Sequence, residues 1–385
     1  MKQQLKQEIN NIETDLRKIS RHLYDNPELG GEEYQSAKLL TDYLQSHKFK
    51  VETGIVDRPT AFRAVYDSGK PGATIGYMAE YDALPGVGHG CGHNLISTMG
   101  IGAGILLSKV LDQIGGKVIV YGTPAEETNG AKVPMAEAGL FNELDVAMMV
   151  HPAGESSMSG DSLAMDAIEF SYRGKTSHAA AVPEEGINAL DSVIQLFNGI
   201  NALRQHVKSD VRIHGIITEG GVAANVVPDY AVAQFYIRAK QRSYLNKVVD
   251  QVKRIAAGAA EMTGATLSIR NYELSYDDMK TNQTLSQAFK RNLVELGEKQ
   301  IHPAKRSLGS IDMGNVSQVV PAIHPYIGLD HPGLVAHTVE FAKQTITEAG
   351  QQAMLRGALA LAMTGYDLIM NQDLLEQIKK EFQVN

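Results

Sequence analysis

Between residues 73 and 151 short apolar runs alternate with helical ones, and each run ends on side chains able to hold a ligand. The runs at 73–79, 117–121 and 146–150 have the length and apolar content of buried strands. The stretches at 94–113 and 133–138 read as the helices between them, with Asn94 able to cap the first and Gly115-Gly116 able to stop it. Such alternation admits few architectures. It predicts an α/β fold built on a largely parallel sheet with helices on both faces. Sheets of that kind bind ligands outside the carboxyl ends of their strands. Asp82, Glu126, Glu127 and His151 each stand just past such an end, and Cys91 and His93 lie in the loop after the first strand. Four segments thus bring ligand-type side chains to one rim.

The loop itself reads Gly86-Val87-Gly88-His89-Gly90-Cys91-Gly92-His93-Asn94 and holds the only cysteine of the chain. Cys91 and His93 are two residues apart, so in an extended or turning segment both side chains can point the same way. A thiolate and an imidazole converging there suit a borderline-soft cation such as zinc. Two other readings compete. A glycine-rich turn can cradle phosphate, although the spacing G-x-G-x-G-x-G differs from G-x-G-x-x-G. A buried inert cysteine near two histidines is the blander alternative.

The flanking chain sets the organisation. Leu5, Ile9, Ile12, Leu16, Ile19 and Leu23 form one helical stripe that ends before Pro27, and a second helix is expected over 31–47. Residues 167–274 read in the order β-α-β-β-α-β, that of a split βαβ, ferredoxin-like module inserted into the first domain. Boundaries follow at 1–166 with 276–385 for the first domain and 167–275 for the insert. Beyond the insert come a helix near 285–296, the loop Gly309-Ser310-Ile311-Asp312-Met313-Gly314-Asn315, one or two strands near 319–329, and a long helix after His337.

At 385 residues, with 43% hydrophobic and 21% charged residues, the chain is ordinary for a soluble globular protein. A net charge of −8 and the lack of any Lys/Arg run argue against nucleic-acid binding. No uncharged apolar run reaches membrane-spanning length, so no membrane partner is expected. The polar start lacks the apolar core of a signal peptide, and a single cysteine fits a reducing compartment. The expectation is a cytoplasmic protein.

Glu126 and Glu127 are adjacent, so one can ligate a cation while the other waits beside it as a base. A bound cation acidifies water, and a neighbouring carboxylate can take that proton and return it to a leaving amine. His151 could be a ligand or simply a strand-end histidine. His337 has the weakest local context, since His324 and His331 lie nearby and could substitute.

The ordered motifs Gly90-Cys91-Gly92-His93-Asn94, Thr123-Pro124-Ala125-Glu126-Glu127, Val150-His151-Pro152 and His337 resemble the dinuclear metallopeptidases of the aminoacylase and carboxypeptidase type, in their amidohydrolase branch. Asp312-Met313-Gly314-Asn315-Val316 and Ile323-His324-Pro325 look closest to the p-aminobenzoyl-glutamate hydrolase-like group, beside hydrolases of N-acyl and indole-acetyl amino acids. The resemblance covers nearly the whole chain. It implies two divalent metal ions, zinc first with manganese or cobalt as alternatives, held by Cys91, His93, Glu127, His151 and His337. It implies Glu126 as general base and Asp82 as the acid that orients a ligand. Glu80 stands where related branches carry a histidine ligand or an aspartate, and its role stays open.

The insert resembles the lid and dimerisation domain of that family. His178 matches a histidine that steadies the tetrahedral oxyanion across a homodimer. Asn225 and Arg238 match positions that bind a substrate carboxylate, and His324 is counted with them as substrate-binding. The expected function is metal-dependent cleavage of an amide bond to an amino acid, in an N-acyl amino acid, an aminobenzoyl-glutamate-like conjugate or a dipeptide. Two rivals stay open: a hydrolase with Cys91 as nucleophile, and a non-catalytic amino-acid or peptide-binding protein on the same fold.

Overall fold

The apolar stripe at the start of the chain forms α1 (Lys2–Asp25), and all six of its stripe residues are buried. The computed structural model describes residues 1–304 and 309–384, and the chain divides into two units. The first holds Met1–Asp161 and most of the chain after Met279; the second holds Ser162–Asp278 with a short segment around Ser310.

In the first unit α2 (Tyr34–Ser46) leads into β1 (Lys50–Thr53), β2 (Phe62–Asp67) and β3 (Thr74–Ala79). Then come α3 (His93–Ile114), β4 (Lys117–Gly122), α4 (Lys132–Glu137), β5 (Val146–Met148) and β6 (His151–Ala153). The second unit contributes β7 (Ala164–Arg173), α5 (Ala189–Leu203), β8 (Arg212–Glu219), β9 (Tyr230–Ala239), α6 (Arg242–Thr263) and β10 (Thr266–Asn271). Back in the first unit are α7 (Gln283–Glu295), α8 (Met313–Ser317), β11 (Ala322–Ile323), β12 (Tyr326–Gly328), α9 (Val339–Thr345), α10 (Glu348–Met370) and α11 (Gln372–Val384).

The main sheet has the order β1-β2-β4-β3-β5-β11. β4, β3, β5 and β11 pair in parallel, as the strand–helix alternation implies. β1 and β2 extend it antiparallel, so the sheet is mixed. These two strands escape the sequence pattern because β1 is a short, mostly exposed edge and β2 fades into polar residues at its end. His151 opens a second, two-stranded ribbon, β6 against β12, with His151 opposite Tyr326.

Two further expectations change. Asn94 is not the cap of α3: the helix begins at His93 after Gly92, and the Asn94 side chain donates to Thr345 Oγ1 at 3.1 Å inside the core. The stop at Gly115 holds. The long helix after His337 is two helices, broken at Ile346-Thr347, where Thr347 accepts from the Gly350 N–H to cap α10. Helices α3 and α10 are long and apolar enough to cross a membrane, yet 94% and 78% of their apolar windows are buried in the protein. They are core helices.

The second unit is a four-stranded antiparallel sheet in the order β10-β7-β9-β8. Alternate residues of β7 (Ile168, Phe170, Tyr172) and β9 (Ala233, Phe235, Ile237) share a core with Val193 and Leu196 of α5 and Val248 and Val252 of α6. That order follows from a β-α-β-β-α-β chain whose two helices cover the same sheet face. β8 is an outer strand, and Ile216 and Ile217 on it are 62% and 45% exposed.

Candidate active site

The site is assembled at the carboxyl end of the parallel strands, all within the first unit. Asp82 follows β3 and is fully buried. One of its carboxylate oxygens lies 3.0 Å from His93 Nδ1, and the other accepts the Glu127 backbone N–H at 3.1 Å. Asp82 therefore sets the ring of one candidate ligand and the backbone of another. Gly92 makes the turn into α3 with φ of 80°, and a Cβ there would strike the Pro152 ring. Only glycine permits this turn beside β6. The Gly90 carbonyl accepts the His337 backbone N–H at 2.8 Å, which brings the distant His337 to the same loop.

Three donor groups converge, each with its ligand atoms within 4.8 Å of one another: Cys91, His93 and His151; Cys91, Glu127 and His337; and His93, Glu126 and Glu127. Cys91 Sγ lies 3.4 Å from His151 Nε2, and His337 Nε2 lies 3.3 Å from Glu127 Oε1. His151 Nδ1 faces the Pro152 carbonyl at 2.7 Å, which can only accept, so the proton sits on Nδ1 and the Nε2 lone pair points to the cluster. His93 Nε2 and Glu127 Oε1 are buried without a hydrogen bond. Buried polar atoms are normally satisfied, so the two orphans, beside a thiol and two further imidazoles, form a donor set that fits divalent cations.

The Glu126 carboxyl lies in a buried, anionic setting. Burial, reinforced by the charges of Glu80, Asp312 and Glu127, holds the Glu126 carboxyl well above the usual carboxylate range. The direction favours holding a proton, as a carboxyl that returns one to a leaving group must do. Burial also pushes the Cys91 thiol up, and burial with the nearby His324 pulls His151 down to about 3. Burial disfavours a charged His93, but the adjoining Asp82 raises it well above the ordinary imidazole value.

Several supporting residues carry no signal in the sequence. Ala125, just before the glutamate pair, has φ of 62°, and His337 has φ of 64°. Such left-handed backbone is costly outside glycine and clusters at functional sites. The buried Glu33 holds Ala125 in place by accepting its N–H at 2.8 Å, while its other oxygen accepts from the Thr60 hydroxyl. In the sequence Glu33 looks like a surface residue before a helix. Lys132 is fully buried between Glu80 and Asp312. Tyr326 packs its ring 5.4 Å from that of His151.

The remaining sequence candidates fall elsewhere. His324 is buried with its ring 5.4 Å from that of His151, outside the three donor groups. His331 pairs with Glu340 at 3.7 Å and is likewise outside them, which leaves His337 as the member from that region. His178, Asn225 and Arg238 belong to the second unit. His178 and Asn225 are exposed, and the Ala179 N–H donating to the Asn225 carbonyl at 3.0 Å holds their segments together. Arg238 lies on β9, with its guanidinium 5.6 Å from the centre of the Tyr236 ring.

Known proteins fit this geometry. Residues 76–358 match the pattern of peptidase family M20/M25/M40. The chain is 37% identical to the Xaa-Arg dipeptidase of Mus musculus over 99% of its own length and 92% of the relative's. It is 30% identical to a p-aminobenzoyl-glutamate hydrolase of Escherichia coli, over 97% and 93% of the two chains. Its fold matches the crystal structure of an aminobenzoyl-glutamate utilization protein from Klebsiella pneumoniae with a TM-score of 0.79, at 20% identity, covering 94% of this chain and 98% of that one. The chain belongs to peptidase family M20/M25/M40 and is a hydrolase of peptide or amide bonds.

Proposed function

We propose that this chain cleaves an amide bond to a free amino acid, in a dipeptide or an N-acyl or aminobenzoyl-type conjugate, with a pair of divalent cations. The observation that carries this reading is the convergence of Cys91, His93, Glu127, His151 and His337 beside Glu126. The candidate ligands fall into two overlapping sets, Cys91 with His93 and His151 and Cys91 with Glu127 and His337, and these residues would hold the pair of ions. Zinc is the first choice, given the thiol and imidazoles. Cations bound there supply Lewis-acid polarisation of the scissile carbonyl and acidify water.

The chain's own residues then have separate tasks. Glu126 takes a proton from water and passes it to the departing amine, with a carboxyl whose hold on a proton burial strengthens. Asp82 holds His93 and the Glu127 backbone in register. His178, Asn225, Arg238 and His324 are assigned to the substrate, with the Arg238 guanidinium suited to a carboxylate. The thiol of Cys91, raised by burial, is the opposite of an activated nucleophile, which disfavours the cysteine mechanism.

The second unit is proposed as lid and dimerisation domain. The outer strand β8 offers unpaired backbone and the exposed Ile216 and Ile217, features suited to a second copy. A single cysteine suits a cytoplasmic setting. The test is elemental analysis of the purified protein with hydrolysis of alanyl-arginine, aminobenzoyl-glutamate and N-acetyl amino acids, each with and without chelator. Transition metal together with chelator-sensitive release of the amino acid supports the reading. Activity without metal, lost only on thiol alkylation, would replace it with the cysteine mechanism.

A further inference from the structure

Lys132 has no solvent exposure, and its ammonium lies 2.6 Å from Glu80 Oε1 and 2.6 Å from Asp312 Oδ1. A buried ammonium costs a great deal unless it is paired and hydrogen-bonded, and here it is both. The three charges join three segments of the first unit. Glu80 stands at the end of β3, two residues before Asp82; Lys132 begins α4, five residues after Glu127; Asp312 immediately precedes α8. Asp312 also accepts the Lys132 backbone N–H at 3.3 Å, so side chain and main chain of Lys132 are both held. The absence of a side chain at Gly130 leaves the room that the Asp312 carboxylate fills.

The second oxygen of Glu80 shows what this arrangement faces. Glu80 Oε2 lies 3.5 Å from His93 Nε2, the same nitrogen that lies 3.9 Å from Glu127 Oε1. Glu80 is nevertheless outside the converging donor groups. With one oxygen committed to Lys132, it borders the cluster without joining it. Among the described residues, Lys132 is the only lysine or arginine paired with Glu80 or Asp312.

We propose that Lys132 is a positioning residue: through Glu80 and Asp312 its ammonium ties the loop carrying Glu126 and Glu127 to the end of β3, and so sets the glutamate pair against His93. This rests on the metal-dependent reading given above. The assignment has a direction that distinguishes it from a plain charge effect. An ammonium close to a cation site repels the incoming ion, so its removal alone would tighten metal binding. Loss of a positioning residue weakens binding, because the donors no longer converge.

The test compares wild type, Lys132→Met and the charge-conserving double variant Lys132→Met/Asp312→Asn. Zinc affinity is measured on metal-free protein by competition with a chromophoric chelator, and kcat and KM on alanyl-arginine with zinc restored. The expected result is zinc binding weaker by about tenfold or more and kcat lower by about a hundredfold, with KM nearly unchanged. Folding is followed by circular dichroism, and if the single variant does not fold, the double variant carries the test. A folded variant with unchanged or tighter zinc binding and wild-type kcat overturns the assignment. Wild-type protein that takes up no zinc overturns the metal-dependent reading itself, and this one with it.

Discussion

Glu126 and Glu127 show how one residue's difference in position becomes a difference in chemistry. Glu127 directs an oxygen at His93 and His337, whereas Glu126 sits in a buried anionic field that keeps a proton within reach. Glu126→Gln is expected to retain bound metal and lose about two to four orders of magnitude in kcat, the usual worth of a general acid–base. Metal content and steady-state kinetics on the same preparation check this; a wild-type rate would remove Glu126 from the chemistry. Glu33 acts one step further out. Glu33→Ala leaves the Ala125 N–H and the Thr60 hydroxyl buried without their acceptor, a loss of about 1–3 kcal/mol for each unsatisfied group. A lower denaturation midpoint accompanied by a lower kcat is the expected outcome. Unchanged kcat in the destabilised variant would show that Ala125 keeps its left-handed turn unaided.

At the scale of elements, what was legible in the sequence was whatever repeats with a period. The stripe of α1, the buried strands β3, β4 and β5, and the β-α-β-β-α-β order of the second unit all declare themselves through spacing of apolar residues. β1 is short and exposed, and its pairing to β2 is a tertiary fact with no local signature. Asn94 looked like a cap because its residue type favours one, but Gly92 already makes the turn and Asn94 is drawn into the core by Thr345. Cys91, His93, Glu127 and His151 could be picked out because each follows or lies near a strand end. His337 has no such local signal and is named by the family resemblance alone; the Gly90 carbonyl holds its backbone at the loop. Glu33, Lys132 and Tyr326 act through partners far away in sequence, so no motif announces them. One element has its own prediction. Ile216→Lys on β8 places a charge on an exposed outer strand, which should turn the proposed dimer into a monomer in analytical ultracentrifugation while leaving the fold intact. A dimer of undiminished affinity would move the interface elsewhere.

For the molecule as a whole, metal, protons and activity are linked. Cys91 must lose its proton to bind a cation, and burial holds that proton more tightly than in a free thiol. Zinc binding is therefore expected to release protons, and apparent zinc affinity to climb as pH rises from about 6 to about 8. Titration calorimetry in buffers of different ionisation enthalpy measures that release; pH-independent binding with no protons released would exclude the thiol as a ligand. Dependence of hydrolysis on cations held by the Cys91–His337 cluster is read out by removing and restoring the metal. The rate of alanyl-arginine hydrolysis is followed in one sample as purified, after removal of metal by chelator, and after zinc or manganese is returned. Loss of activity on chelation and its recovery on metal return is the predicted result. A rate that survives complete removal of metal, and disappears only when Cys91 is alkylated, would contradict it.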